Sequence, residues 1–332
     1  LQIGSMHVGK LATSFSLIFF GVALGYGIQV LSQRGILRMP MPLETLRKLL
    51  QKIALLFFMP MTVLCAVWIV SVRAASIAAL PFIGLSAIVL GGLLAWVVSR
   101  LLKLAPRKAG ALIPCGAFTN IGAIGALVCF IFLGENGFAL VPIYKIFEEL
   151  SYYSLGFPVA KYYSRLGGPI ESITARMKGL ARDPFIIVAL ASISTGALLN
   201  VFEVPRPAFF TAINAVFIPV GTTLLLVSIG LAMKFRSVSN YVKECLAVSA
   251  IKFVMVPVTI STVAAAIGFG EIDDGLPLKV VMILSAMPVA FNALIPPSIY
   301  DLDLELANSC WFFTTVLLIV VLPVLLFVIG TV

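Results

Sequence analysis

The chain reads from end to end as apolar runs of about 20 residues or more, cut by short polar stretches. A helix needs about 20 consecutive apolar residues to cross the hydrocarbon core of a bilayer. Ten runs reach that length, near residues 11–32, 46–70, 77–101, 110–133, 138–163, 184–202, 206–232, 242–269, 276–299 and 304–330. The pattern predicts an all-α integral membrane protein of ten transmembrane helices.

The polar positions between the runs set its orientation. Basic residues gather in alternate loops: Arg34, Arg38, Arg47 and Lys48 after the first span, Arg100, Lys103, Arg107 and Lys108 after the third. Lys161, Arg165, Arg176, Lys178 and Arg182 follow the fifth span, and Lys234, Arg236 and Lys243 the seventh. The intervening loops hold only Arg73, Arg206 and Lys279. Lys and Arg are retained on the cytoplasmic side, so these four loops are placed in the cytoplasm and both termini outside, in a cytoplasmic (inner) membrane. The loop after the ninth span, with Asp301 and Asp303 and no base, departs from the trend, but acidic residues contribute little to orientation.

The longest connection, 164–183, divides the chain into five spans and five. Five is odd, so the second half enters the membrane in the sense opposite to the first, and any structural repeat is inverted. The expected organisation is a lead over 1–10 (Leu1–Ser5 an added remnant ahead of Met6), a first five-helix repeat over 11–163, a cytoplasmic linker over 164–183 and a second repeat over 184–332. The linker is basic enough to lie on an anionic leaflet as a helix over 170–180, or it is a solvated connector. Phe57-Phe58-Met59-Pro60 in the second span resembles Val216-Phe217-Ile218-Pro219 in the seventh, at the same place in each half.

Two runs cannot be ordinary spans. In Ser285-Ala-Met-Pro-Val-Ala-Phe-Asn-Ala-Leu-Ile-Pro-Pro-Ser298, Pro288, Pro296 and Pro297 lack the N–H that a helix needs, and Asn292 stands between them. In Pro114-Cys-Gly-Ala-Phe-Thr-Asn-Ile-Gly-Ala-Ile-Gly125, glycines loosen the helix beside Asn120. Each is the fourth span of its half. Irregular backbone at membrane depth survives only where protein or a cavity surrounds it, and paired interruptions of this kind point to a transporter site. A half-helix starting near each asparagine would aim free N–H groups and the positive dipole end at the midplane, which favours an anion. The same asparagines can instead satisfy only the freed backbone. Phe118 and Phe291 flank them as an apolar wall or as packing.

Charges within spans are expensive and mark function. The spacings i,i+3 and i,i+4 put Lys145, Glu148 and Glu149 on one face of the fifth span; they read as a coupling carboxylate with its counter-charge or as a structural ion pair. The neighbouring Ser151, Tyr152 and Tyr153 either line the same polar path or are aromatic and polar residues near an interface. Lys252 sits about nine residues, roughly 13 Å of rise, into the eighth span, where it can meet one of these glutamates, meet a substrate carboxylate, or snorkel.

Composition narrows the class further. The chain is 61% hydrophobic and 11% charged, with a mean hydropathy of +1.12, against about 25% charged in soluble domains. The net charge of +9 resides in alternate loops, so it argues for membrane orientation and against nucleic acid. Cys65, Cys115, Cys129, Cys245 and Cys310 all fall inside apolar runs and read as core residues. With His7 the only histidine, and no Walker A loop, GxSxG, CxxC or HExxH, neither a metal site, a cofactor nor an enzyme is expected.

Thr119-Asn-Ile-Gly-Ala-Ile-Gly125, Pro288-Val-Ala-Phe-Asn292 and Tyr300-Asp-Leu-Asp-Leu-Glu305, in this order among ten spans, resemble the auxin efflux carrier family, which includes plant PIN proteins and bacterial malate or malonate permeases. The resemblance covers about 15–327. It implies a fold like that of bile-acid sodium symporters, with a scaffold and a transport domain, the fourth and ninth spans crossing, and elevator-type alternating access. It implies that Asn120, Gly122 and Gly125 on one arm, and Pro288 and Asn292 on the other, bind the ligand's carboxylate, and it allows a homodimer. The family's proline soon after the second glycine is absent, since Ala126-Leu127 follow Gly125; the expectation is a less sharply broken fourth span, with Gly122 and Gly125 doing the proline's job.

The expectation is a secondary transporter of small organic carboxylate anions, auxin-like or dicarboxylate, with H⁺ or Na⁺ as any coupling ion. The alternatives are a Na⁺-coupled symporter of larger amphipathic anions and a membrane ligand sensor without transport.

Overall fold

The computed structural model describes residues 2–69, 78–164, 182, 184–233 and 238–332. The proposed interfacial helix over 170–180 lies outside them. Regular structure among the described residues is helical, except for one isolated antiparallel bridge. The helices are α1 (Gln2–Gln33), α2 (Leu43–Ile69), α3 (Leu80–Leu101), α4 (Pro106–Ala117), α5 (Ile121–Tyr144), α6 (148–163), α7 (Pro184–Val201), α8 (Phe209–Gly230), α9 (Ser239–Ala266), α10 (Leu276–Ser285), α11 (291–299) and α12 (Leu304–Ile329).

Among the described residues seven helices, α1, α2, α3, α5, α8, α9 and α12, are long and apolar enough to cross a membrane. The protein is thus a multi-pass helical membrane protein. The other expected spans are shorter or broken. The sixth is α7, Pro184–Val201. The ninth is divided into α10 and α11. The segment α5 is two helices that meet at Gly134, whose φ of 73° lies in the left-handed region, between the expected fourth and fifth spans; the fifth does not run as one helix past Tyr144. Residues 145–147 form a turn before α6. The Tyr144 carbonyl, which a continuing helix would engage, lies against Gly84 of α3. The Glu148 N–H instead donates to the Lys145 carbonyl at 2.8 Å.

Prolines leave a second signature. Ala54–Phe58 of α2, Tyr152–Gly156 of α6 and Ile251–Met255 of α9 are π-helical turns. Each ends two residues before a proline, Pro60, Pro158 and Pro257. A proline ring crowds the carbonyl one turn earlier and offers it no N–H. The residue just before each proline reaches five back instead: Met59 to Ala54, Phe157 to Tyr152, and Val256 to Ile251. Such turns rotate the side chains within them and recur at functional sites. Tyr152 and Lys252 both stand in one.

The chain forms two compact units, each drawn from both halves of the sequence. The first comprises Leu1–Val72, Gly122–Pro142 and Ala181–Met233. In it α1 packs on α8, and α2 on α7 and α8. Gly25 and Gly230 let α1 and α8 meet backbone to backbone; a Cβ on Gly25 would strike the Val227 carbonyl, and one on Gly230 the Val22 carbonyl. Without a hydrophobic force between helices in lipid, such close approach is a main source of association. The end of the α5 segment is tied down by polar contacts. Lys10 donates to the Phe132 carbonyl at 2.9 Å. Glu135 pairs with Arg206 at 2.9 Å, both largely buried, and Arg206 also donates to the Cys65 carbonyl at 2.8 Å.

The second unit comprises Arg73–Ile121, Ile143–Leu180 and Lys234–Val332. Here α4 packs against α3, α6 and α12, and α9 against α10 and α12. One end is latched by charge. Arg107 pairs with Asp301 at 2.9 Å, and Lys108 with Glu244 at 3.6 Å. The Tyr241 hydroxyl donates to Asp303, whose carboxylate accepts the Leu306 N–H at the start of α12. Asp301 and Asp303 are therefore partners of α4 and α9, and this accounts for acidic residues in that loop. All five cysteines are free and buried.

Candidate functional site

The site is built where α4 and α10 stop. The helix α4 ends at Ala117, and Phe118 turns extended, with φ −90° and ψ 130°. The helix α10 ends at Ser285, three residues before Pro288. The two extended segments run antiparallel and pair as a minimal sheet, with Thr119 opposite Val289. The Asn120 N–H donates to the Pro288 carbonyl at 2.8 Å, and the Ala290 N–H donates to the Phe118 carbonyl at 3.0 Å. The Val289 N–H donates to Thr314 Oγ1 of α12 at 3.2 Å. Backbone groups freed by breaking a helix at membrane depth need partners, and each break supplies them to the other. Residues 118–121 and 287–290 are all buried.

This corrects the expectation that glycines break the fourth span. The break is at Phe118–Asn120, and Gly122 and Gly125 lie beyond it, in the π-helical turn Ile121–Gly125 that opens α5. Pairing with the Pro288 segment replaces the helical bonds at Phe118–Asn120, so no proline after Gly125 is needed. Gly122 and Gly125 also fall in the other compact unit.

Around the pairing stand five side chains, Phe118, Tyr152, Phe291, Trp311 and Lys252. Phe118 packs edge-on to Tyr152, ring centroids 5.1 Å apart. The Tyr152 hydroxyl donates to the Asn292 carbonyl at 2.9 Å, fixing the first turn of α11. Phe291 packs edge-on to Trp311 of α12 at 6.2 Å. Lys252, 1% exposed, donates from Nζ to Thr119 Oγ1 at 2.8 Å. The snorkelling expected as one alternative for Lys252 does not occur.

The two asparagines are not equivalent. Asn120 follows the bridged Thr119 directly and is buried; Asn292 comes three residues after the bridged Val289 and is exposed. Lys145 and Glu148 form an ion pair at 3.2 Å, with Glu148 nearly buried, although residues 145–147 are a turn and not the helix face expected. The Glu149 side chain lies outside the described residues. Among the described residues no group of His, Cys, Asp and Glu gathers as a metal site.

The structure thus brings Phe118, Asn120, Pro288, Phe291 and Asn292 to one place and adds Lys252. Sequence reasoning overlooked Thr119 as an acceptor and missed Thr314 and Trp311 altogether. A threonine inside an Asn- and Gly-rich break was a usable signal. Thr314 and Trp311 sit in the most apolar helix and offered none.

No family model matches the chain. It is 26% identical over 234 residues to an uncharacterized transporter of Methanothermobacter thermautotrophicus, covering 70% of this chain and 72% of that protein. It is 26% identical over 277 residues to an uncharacterized transporter of Methanocaldococcus jannaschii, covering 81% and 85%. Over most of its length, then, this membrane-spanning helical chain is similar to two archaeal proteins that carry the name of transporter.

Proposed function

We propose that the chain is a secondary transporter of small organic carboxylate anions, auxin-like or dicarboxylate, in the cytoplasmic membrane. The observation that carries this reading is the buried crossing, where two interrupted helices exchange backbone hydrogen bonds at Thr119 and Val289. Broken helices meeting at depth are how transporters build a binding site without exposing backbone to lipid. The asparagine amides at the crossing can donate to a carboxylate. Support also comes from the resemblance of these motifs to the auxin efflux carrier family and from the two archaeal relatives named as transporters.

The division into two compact units, each assembled from both halves of the chain, suits alternating access of the elevator type, in which the unit holding the crossing moves as a body. Both termini face outside in this reading, and a homodimer fits it. Export of an anion from a negative interior gains about 2.3 kcal/mol per charge per 100 mV, so efflux needs no coupled ion. Uptake would need H⁺ or Na⁺.

The test is flux of labelled malate, malonate and indole acetate into proteoliposomes at a set potential, with and without Na⁺ or a pH gradient. Wild type is expected to move at least one anion, and Asn120→Ala and Asn292→Ala to lose most of that flux while eluting as monodisperse protein. Variants that carry the anion as fast as wild type would remove the crossing as the site.

A further inference from the structure

Lys252 presents a problem of charge. Its ammonium is buried to 1% exposure and carries three N–H donors. Among the described residues its one hydrogen-bond acceptor is Thr119 Oγ1, a neutral hydroxyl. Buried charges are ordinarily paired and fully hydrogen-bonded. Among the described residues Lys252 makes no ion pair, and the carboxylate of Glu148 is paired with Lys145 at 3.2 Å.

Trp311 presents a related problem. Its side chain is buried to 2% exposure, and its indole Nε1–H has no hydrogen-bond partner. A buried indole N–H normally finds an acceptor, and leaving one unmade costs free energy. Trp311 lies one helical turn before Thr314, whose hydroxyl oxygen receives the Val289 N–H, and its ring meets Phe291. The residues these two side chains touch, Thr119 for Lys252 and Phe291 for Trp311, belong to the two crossing segments. Both unsatisfied groups are donors, and what both lack is an acceptor. An acceptor that also answers a buried positive charge is an anion.

We infer that Lys252 of α9 and Trp311 of α12 are specificity-determining residues that grip the carboxylate of the transported anion, the ammonium by charge and the indole N–H by a directed hydrogen bond. The inference rests on the anion-transport reading and deepens it. The broken segments bring the carboxylate to the crossing, and the two unbroken helices supply the strongest donors. Lys252 stands in the π-helical turn Ile251–Met255 that Pro257 imposes, and from there it reaches Thr119.

The experiment is calorimetric titration of the full-length chain in nanodiscs with malate, malonate and indole acetate. Wild type is compared with Trp311→Phe, Lys252→Met and Lys252→Arg, each first checked by thermal unfolding. Trp311→Phe keeps a six-membered aromatic ring and deletes the N–H with the five-membered ring that carries it. It is expected to melt somewhat below wild type because of the small cavity left, and to bind the anion about tenfold more weakly, the usual scale for one hydrogen bond to a charged group. Lys252→Met is expected to weaken binding by 100-fold or more, and Lys252→Arg to restore part of it. If Lys252→Met fails to fold, Trp311→Phe and Lys252→Arg still decide. Binding within twofold of wild type by folded Trp311→Phe or Lys252→Met overturns the assignment. If wild type itself binds none of the three anions, the anion-transport reading fails, a result distinct from variants that bind as wild type does.

Discussion

Thr119→Val tests the crossing at its most charged contact. Valine keeps the branched shape, and the backbone bonds of the pairing, made by Asn120, Pro288, Ala290 and Phe118, do not involve the Thr119 side chain. What is lost is the acceptor 2.8 Å from Lys252 Nζ. A hydrogen bond to a charged group is worth about 1.5–3 kcal/mol, whereas an average bond between neutral groups of membrane helices contributes about 0.6 kcal/mol. The expected cost is about 2 kcal/mol, above the neutral average because the donor is an ammonium with no second acceptor among the described residues. Every 1.4 kcal/mol is a factor of ten, so the unfolded fraction at a given denaturing condition rises roughly thirtyfold. The assay is equilibrium unfolding in mixed detergent micelles, run as a double-mutant cycle with Lys252→Met. In the Lys252→Met background Thr119→Val should cost almost nothing, since valine and methionine then leave no unmatched polar group. A coupling below about 0.5 kcal/mol would refute the reasoning, because it would mean that the ammonium does not depend on Thr119.

Two further outcomes follow from buried contacts. Arg206→Met strands the Glu135 carboxylate, whose pairing with Arg206 at 2.9 Å is largely buried; removing one partner of such a pair costs about 3–5 kcal/mol, and adding Glu135→Gln should recover most of it in the same unfolding assay. Tyr152→Phe removes the donor to the Asn292 carbonyl at 2.9 Å and keeps the ring packed on Phe118; the loss expected is about 0.5–1.5 kcal/mol of stability, with anion flux reduced if the first turn of α11 must be held in place.

A good part of the architecture was legible in the residues. Pro288, Pro296 and Pro297 in a run of membrane length announced a broken helix, because a missing N–H is a local fact that no packing reverses. Asn120 marked its counterpart. The part played by the glycines of the fourth span was not legible. Glycine has poor helix propensity, so Gly122 and Gly125 looked like the weak point, yet the helix ends before them. Backbone bonds from a distant segment outweighed local propensity. The turn at 145–147 was hidden likewise, since it depends on the Tyr144 carbonyl facing Gly84 of another helix. Glu135 passed unnoticed although it stands between Gly134 and Gly137, because its meaning lies in Arg206, far along the chain.

By itself the sequence determined what depends on composition, length and single residues: a helical chain that lives in a bilayer, and the two places where regular helix must fail. Transfer energies and missing N–H groups act locally and can be read without coordinates. Only the tertiary structure decided how the failures are repaired, by Thr119 lying opposite Val289, by Lys252 reaching Thr119 from a π-helical turn, and by Thr314 offered from α12. Hydrogen bonds between segments distant in sequence have no local signature, and in a membrane, where an unpaired polar group costs most, they settle where the candidate site is.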